Sequence, residues 1–340
     1  MLKNSGTKAP VMILFFNRPD NLKQVFEAVR KYSPEQLFLV QDGARVGRPD
    51  DIDNINKCRE IVDTVDWKCE VYRNYAEENM SCDHREYTGI DWCFQYVDRL
   101  IILEDDCVPT QGFMKLCEEC LEKYKDETSI HSIYGFNRLG YYECPYDYVF
   151  SKTGAGWGWA TWKRVWDRVN AVRNSKLFSE PNTIKYINNS IEHSVKEIYG
   201  DFVKDNLSIR EKEIAQGKII SWEHWSGLTL ILYNMVTIVP KKNMIRYIGI
   251  SQNATHTADD PKLLPRKVRN VLIQKAYESE EIISHPPYII RDSKFEKLSK
   301  KSMYSFPVFS KFEHIFLILR YKGFKQILII LKNKISKVKK

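Results

Sequence analysis

No apolar run in this chain reaches the roughly 18–20 residues needed to cross a bilayer, which excludes a transmembrane helix. No secretory leader is expected either. The apolar run Val11–Phe16 is shorter than a leader's hydrophobic region and passes straight into Asn17-Arg18-Pro19-Asp20. The expected location is therefore cytoplasmic. Neither a second cysteine pair nor a histidine pair accompanies Cys117-Glu-Glu-Cys120, so a zinc site is not expected there. All eight cysteines fall between Cys58 and Cys144 and read as small core residues of a reducing compartment. The loop after the first apolar run, FFNRPDN, has no glycine, which argues against a loop built to cradle a triphosphate. Internal repeats and low-complexity tracts are missing too.

Charge is present in abundance but unevenly. Residues 261–340 carry 19 Lys and Arg against 6 Asp and Glu, while the preceding 260 residues carry 33 against 38. The body is mildly acidic, so nucleic acid is not an expected partner. The basic tail suits an anionic surface such as a membrane.

The first third alternates strand and helix signals. Val11–Phe16, Leu37–Val40, Cys69–Tyr72, Leu100–Leu103 and Ile130–Phe136 read as strands. Helices are expected after Asp20, which stands as a cap for Leu22, Val25, Phe26 and Val29, and over Asp53–Val65, His84–Tyr96 and Gly112–Tyr124. That alternation predicts an α/β fold, a mostly parallel sheet flanked by helices. After residue 140 aromatics become dense, with GAGWGWATW at 154–162. Charged helical segments follow at about 183–216, then Trp222–Trp225 and the apolar run Leu228–Val239. Asp259–Pro265 reads as a linker. The expected organisation is a catalytic domain over 8–260, with halves 8–140 and 141–260, and a basic helical tail over 261–340.

The strongest chemical feature is Glu104-Asp105-Asp106, placed at the C-terminal end of a strand, where open α/β sheets bind ligands. Three adjacent carboxylates repel one another, and a divalent cation relieves that repulsion. A cation so held can neutralise a diphosphate leaving group. The plain alternative is an acidic turn. Position decides between them: Arg18 follows the first strand and can reach a phosphate or a base. Asp42 follows the second and can accept hydrogen bonds from a base or ribose. In a parallel sheet these strand ends form one rim.

The ordered run FFNRPDNL, QDG, HREYTG (84–89), IILEDDCVP (101–109), GWGWATWKRVWD (156–167) and SWEHW (221–225) resembles the GT-A fold (Rossmann-like) glycosyltransferases, and among them the N-acetylglucosaminyltransferase I type and related bacterial sugar transferases. The resemblance implies that Arg18, Asp42 and His84 contact the nucleotide, that Glu104 and Asp105 contact ribose or donor sugar, and that Asp106 ligates Mn²⁺ (or Mg²⁺). It implies a catalytic base at Glu223, where the family keeps Asp. It further implies a nucleotide-sugar donor, UDP-linked by resemblance only, transfer to a glycan hydroxyl with inversion, and His256 as a further metal or phosphate contact.

The residues themselves allow these roles. Glu223, flanked by Trp222 and Trp225, sits in a partly apolar setting suited to a base; His224 is the neighbouring alternative. In GAGWGWATW the rings of Trp157 or Trp159 can stack on a sugar while the glycines admit a close backbone, and Trp222 joins this donor wall. The tail, 311–340, mixes apolar residues with nine Lys and Arg and one Glu. That composition suits peripheral attachment to the inner face of a cell membrane and hence a lipid-linked glycan acceptor for a surface polysaccharide. Two other activities compete, sugar-phosphate nucleotidyl transfer and non-catalytic carbohydrate binding.

Overall fold

A computed structural model describes residues 8–175, 181–191, 202–250, 261–278, 283–303 and 307–323. Strands β1 (Val11–Phe15), β2 (Gln36–Gln41), β3 (Glu70–Tyr75) and β4 (Arg99–Glu104) form a parallel block in the order β3-β2-β1-β4. β1 and β2 are buried along their whole length, because helices cover both faces. Alternate side chains go to opposite sides. Val11, Ile13, Phe15, Leu37 and Leu39 meet Leu22 and Phe26 of α1 (Pro19–Tyr32) and Phe113 of α4 (Gln111–Lys123). Met12, Leu14, Phe38 and Val40 meet Ile90 of α3 (Cys82–Cys93), Trp166 of α5 (Lys163–Asn174) and Trp225. Between β2 and β3 runs α2 (Pro49–Val62).

The α/β class is as expected. Beyond β4 the sheet turns mixed: β8 (Trp159–Trp162), β6 (Ile130–Tyr134), β9 (Val236–Pro240) and β7 (Tyr148–Ser151) complete eight strands, and three of these four further pairings are antiparallel. The aromatic, glycine-rich stretch supplies β8 without a helical crossover, so that strand enters in reverse. A short second sheet pairs β5 (Cys107–Pro109) with β10 (Ile245–Tyr247) directly after the acidic triplet.

Some boundaries move. α2 begins at Pro49 rather than Asp53, because proline is pre-shaped for a first turn. β3 extends to Tyr75 through its pairing with Gln41. Asp20 lies inside the first turn of α1, whose N-cap is Arg18, with no side-chain cap bond. The apolar run 228–239 splits at Asn234, which takes a left-handed φ of 50° between the helix Trp222–Leu232 and β9.

Part of the segment after 260 is bound to the body. Phe295 meets Tyr142 edge-on at 5.2 Å, and Glu296 accepts from the Lys152 amide at 2.6 Å. Arg291 bridges Phe150 along the outer strand β7, covering a sheet edge. Helices are present at Arg266–Leu272, Ser293–Met303 and Pro307–Lys322.

Gly89 sets how closely α3 approaches the sheet: a Cβ there would stand 2.7 Å from Val40 Cγ1 and 3.1 Å from Met12 Cε. Gly89→Ala is expected to lower unfolding free energy by about 1–3 kcal/mol, read as a lower urea midpoint at unchanged slope.

Candidate functional site

The C-terminal ends of β1, β2 and β4 open into a cleft of about 500 Å³ lined by Arg18, Asp42, Glu104 and Asp105 together with Arg45, Arg48 and Cys82. Four of the residues expected on the rim thus share one cavity. Arg18 pairs with Asp105 and reaches Asp106 Oδ2 at 3.0 Å. Phe16 N donates to Asp105 Oδ2 at 3.2 Å, so the end of β1 and the end of β4 hold each other. Asp42 accepts from Met80 N at 2.8 Å and Asn79 Nδ2 at 3.0 Å, which ties the loop before α3 to β2. The Asp42 carboxyl is raised above the ordinary range by burial, against those hydrogen bonds.

Asp105 and Asp106 are 1% and 6% exposed. Burial pushes the Asp105 carboxyl up to about 6, against the pull of Arg18. Glu104 is raised well above the usual carboxylate range by desolvation and then by Glu86, Asp106 and Asp105. Glu86, 5% exposed, accepts from Trp222 Nε1 at 2.8 Å. Burial, then the charge of Glu223, lifts it to about 8. Burial works against a charged Arg18, yet Asp105 and Asp106 outweigh it and push its pKa up. The site is therefore an excess of buried negative charge around one paired guanidinium. Such excess is relieved by protons or by a cation.

For a metal, ligand atoms of Cys82, Glu86 and Glu104 lie within 4.8 Å of one another. Carboxylate oxygens are the donors that hard divalent ions accept, so the residues fit Mn²⁺ or Mg²⁺. Asp106, expected as the metal ligand, is not among the residues lining the cleft; one of its oxygens accepts from Arg18 at 3.0 Å and the other from Cys107 Sγ at 3.3 Å. The chain leaving β10 closes over it: Ile248 N donates to the Asp106 carbonyl at 2.8 Å, and a Cβ at Gly249 would fall 2.3 Å from Asp106 Oδ2.

Other expected residues fall elsewhere. His84 accepts from Ile219 N at 3.2 Å and is not among the residues lining the cleft; burial, Lys218 and Arg173 lower its pKa. Trp222 is 5% exposed, its ring stacked on Trp159 at 5.3 Å, so most of it is core. Trp159 is likewise buried. Trp157 is half-buried and stacks at 5.1 Å on Tyr247, the last residue of β10. Glu223 is exposed in the first turn of its helix and lines a second cavity, with His224 and Gly156. His256 lies outside the described residues.

Sequence reasoning missed Arg45, Arg48, Cys82 and Glu86. Arg45 grips the buried Asp51 with two bonds, at 2.8 and 2.7 Å, and Asn17 adds a third at 2.6 Å. The signal was QDGARVGRPD, two arginines between a strand end and a helix-starting proline.

No protein-family model and no curated protein matches the chain. Among solved structures, an inositol-1-phosphate CTP transferase from T. maritima is similar over 79% of this chain and 96% of its own, at 11% identity and a TM-score of 0.37. A UDP-glucose pyrophosphorylase complexed with UDP-glucose is similar over 49% and 81%, at 9% identity and 0.30. A glycosyltransferase involved in glycosylation of the major capsid of PBCV-1 is similar over 54% and 76%, at 10% identity and 0.25. Likenesses this loose decide nothing about the chemistry, which rests here on the residues.

Glu86 gives the site a pH signature. Its carboxyl rises from an ordinary 4.5 to about 8 on folding, so between these values the folded chain holds a proton that the unfolded chain has lost. Stability from this group is full below about 4.5 and is lost as pH climbs to about 8. In chelator-treated protein the urea midpoint of Glu86→Gln is expected to fall less than that of the wild type between pH 5 and 8.

Proposed function

We propose that this protein is a metal-dependent glycosyltransferase. It takes a sugar from a nucleoside diphosphate donor, a UDP-sugar by resemblance, and passes it to a hydroxyl of a glycan acceptor with inversion. The observation that carries this is the meeting of Arg18, Asp42, Glu104 and Asp105 round one cleft, with Glu223 close enough to raise the carboxyl groups of Glu86 and Glu104.

In this mechanism Asp42 and Asn79 face the nucleoside, and Arg18, Arg45 and Arg48 face the phosphates. Mn²⁺ or Mg²⁺ would be held by the carboxylates of Glu86 and Glu104, whose ligand atoms lie within 4.8 Å of each other and of Cys82 Sγ, with Asp106 the further ligand that the resemblance implies, and would neutralise charge on the departing diphosphate. Glu223 takes the proton of the acceptor hydroxyl as that oxygen bonds to the anomeric carbon and the carbon–diphosphate oxygen bond breaks. His84 and Trp222 act indirectly: one holds the Ile219 loop, the other holds the helix that carries Glu223. His256 would be a further contact to metal or phosphate. The glycine-free loop FFNRPDN favours sugar transfer over nucleotidyl transfer.

Among the described residues no helix is long and apolar enough to cross a membrane. The helix Pro307–Lys322 leaves Ile315, Phe316 and Leu319 exposed, and the Lys-rich residues 324–340 lie outside the described residues. Together these features support peripheral binding of 311–340 to an anionic inner membrane face, with a lipid-linked acceptor. Each basic residue near such a surface contributes about 1 kcal/mol, so deletion of 311–340 is expected to abolish sedimentation with phosphatidylserine vesicles; unchanged sedimentation would end the membrane assignment.

The decisive experiment pairs binding with turnover. Thermal shifts with UDP, GDP, dTDP and CMP, each with and without Mn²⁺, are expected to single out one metal-dependent nucleotide, with the shift lost in Asp106→Ala. Glu223→Gln should keep that shift and lose about 10²–10⁴ in transfer rate. Pyrophosphate release from a nucleoside triphosphate and a sugar 1-phosphate would assign nucleotidyl transfer instead.

A further inference from the structure

Helix α3 carries a thiol to the rim of the cleft. Cys82 is half-buried and lines the cleft beside Glu104. Its placement follows from the helix. Residues four apart share a helix face, so Cys82 and Glu86 point the same way from the first turns of α3. Arg85 ties that helix to the sheet, donating from Nε to the Gln41 carbonyl at 3.1 Å and from Nη2 to Asn74 Oδ1 at 2.9 Å. Gly89 brings it against Val40 and Met12. α3 therefore meets the end of β4 at a set distance, and ligand atoms of Cys82, Glu86 and Glu104 stand within 4.8 Å of one another.

Charge at this point is unbalanced. Arg18 is committed to Asp105 and Asp106. Glu86 is 5% exposed and accepts from a neutral donor, the Trp222 indole. Among the described residues no ion pair reaches Glu86 or Glu104. The charges that act most strongly on both are other carboxylates. Carboxylates in such a setting call for a proton or a metal ion.

The sulfur decides which ion. Oxygen-only sites suit Mg²⁺, Ca²⁺ and Mn²⁺, whereas a thiolate favours softer ions. Zn²⁺ accepts thiolate and carboxylate together, and three protein ligands leave a position open for a substrate oxygen. Mg²⁺ demands near-ideal octahedral oxygen geometry and gives up its waters reluctantly.

We propose that Cys82, Glu86 and Glu104 form a mixed sulfur–oxygen site that binds a thiophilic divalent ion such as Zn²⁺ or Co²⁺ in preference to Mg²⁺, with Cys82 setting the selectivity. The thiol proton passes to solvent as the metal–sulfur bond forms. The inference rests on the metal-dependent transfer proposed above for the use of the ion: Mn²⁺ shares the site through its two carboxylates, and a thiophilic ion displaces it.

The test is a metal titration of the chelator-treated full chain. Co²⁺ is expected to give a thiolate-to-cobalt charge-transfer band in the near ultraviolet, which Zn²⁺ bleaches stoichiometrically and Mg²⁺ leaves in place even in large excess. Cys82→Ser should remove the band and weaken Zn²⁺ binding by about 10–100-fold or more, since even an outer-shell change costs that much, while Mg²⁺ affinity stays as it was. Replacing Cys69 and Cys144, the other two half-buried cysteines, by serine should leave the band in place. Urea midpoints of the metal-free variants check folding, and Cys82→Ala replaces Cys82→Ser if serine disturbs the start of the helix. No band in the wild type, or a band that survives the loss of Cys82, overturns the proposal. A band without any metal-dependent nucleotide shift keeps the site and removes sugar transfer. A nucleotide shift that needs Mn²⁺, with no cobalt band, removes Cys82 from the site and leaves sugar transfer standing.

Discussion

The ion pairs from Arg18 to Asp105 and Asp106 are the constraint on which this end of the molecule depends. Two carboxylates almost wholly out of water carry a desolvation cost that must be met by a partner. Arg18 meets it, and through it the loop after β1 is pinned to the end of β4. The Phe16 amide adds a second tie to Asp105. Asp106 is then covered by the chain just past β10, whose backbone can come so near only because residue 249 is glycine. Removing the guanidinium would leave the carboxylates uncompensated, and the loop after β1, the β5–β10 pair and the cleft would all have to move.

Around this fixed point the sheet divides the labour. Its parallel block brings three strand ends to one rim, where side chains from β1, β2 and β4 converge without any loop longer than a turn. Its mixed block does something different. β6, β9 and the Trp222–Leu232 helix wall off a second cavity, which Glu223 lines, and the GAGWGWATW stretch shapes it. Gly154 lets the backbone lie flat against Tyr134, while Trp159 and Trp222 stack behind it as core. Most of the Trp-rich stretch is therefore scaffold, and the glycines beside it are what face the open space.

The parallel block was legible because its signals are local. Short apolar runs, helical spacing in α1 and polar residues at strand ends each sit within a few positions. Arg18, Asp42 and Glu104–Asp106 were found on that basis, and all but Asp106 line one cleft. Direction was not legible beyond β4, since nothing in WATW tells which way the strand runs; that is set by pairing with β4 and β6. Glu86 and Cys82 were missed because they lie on α3, far in sequence from Glu104, and only the packing of α3 against β1 and β2 brings them near. His84 was expected at the nucleotide through the resemblance, and Trp222 on the donor wall because aromatic rings stack on sugars; in the fold one accepts from the Ile219 amide and the other is mainly core.

Glu86 explains how the two cavities stay in register. Its carboxylate accepts the Trp222 indole N–H, which pins the first turn of the Trp222–Leu232 helix to α3. Residues one apart on a helix point about 100° apart, so fixing Trp222 inward turns Glu223 outward, to line the second cavity beside the acidic cluster. The Glu223 charge is felt in that cluster, since it helps to raise the carboxyl groups of both Glu86 and Glu104. Protons on those two groups, or a cation held between them, lower the cost of keeping Glu223 ionised nearby. The acidic cluster and the side chain that lines the second cavity are therefore linked through charge as well as through the Trp222 bond.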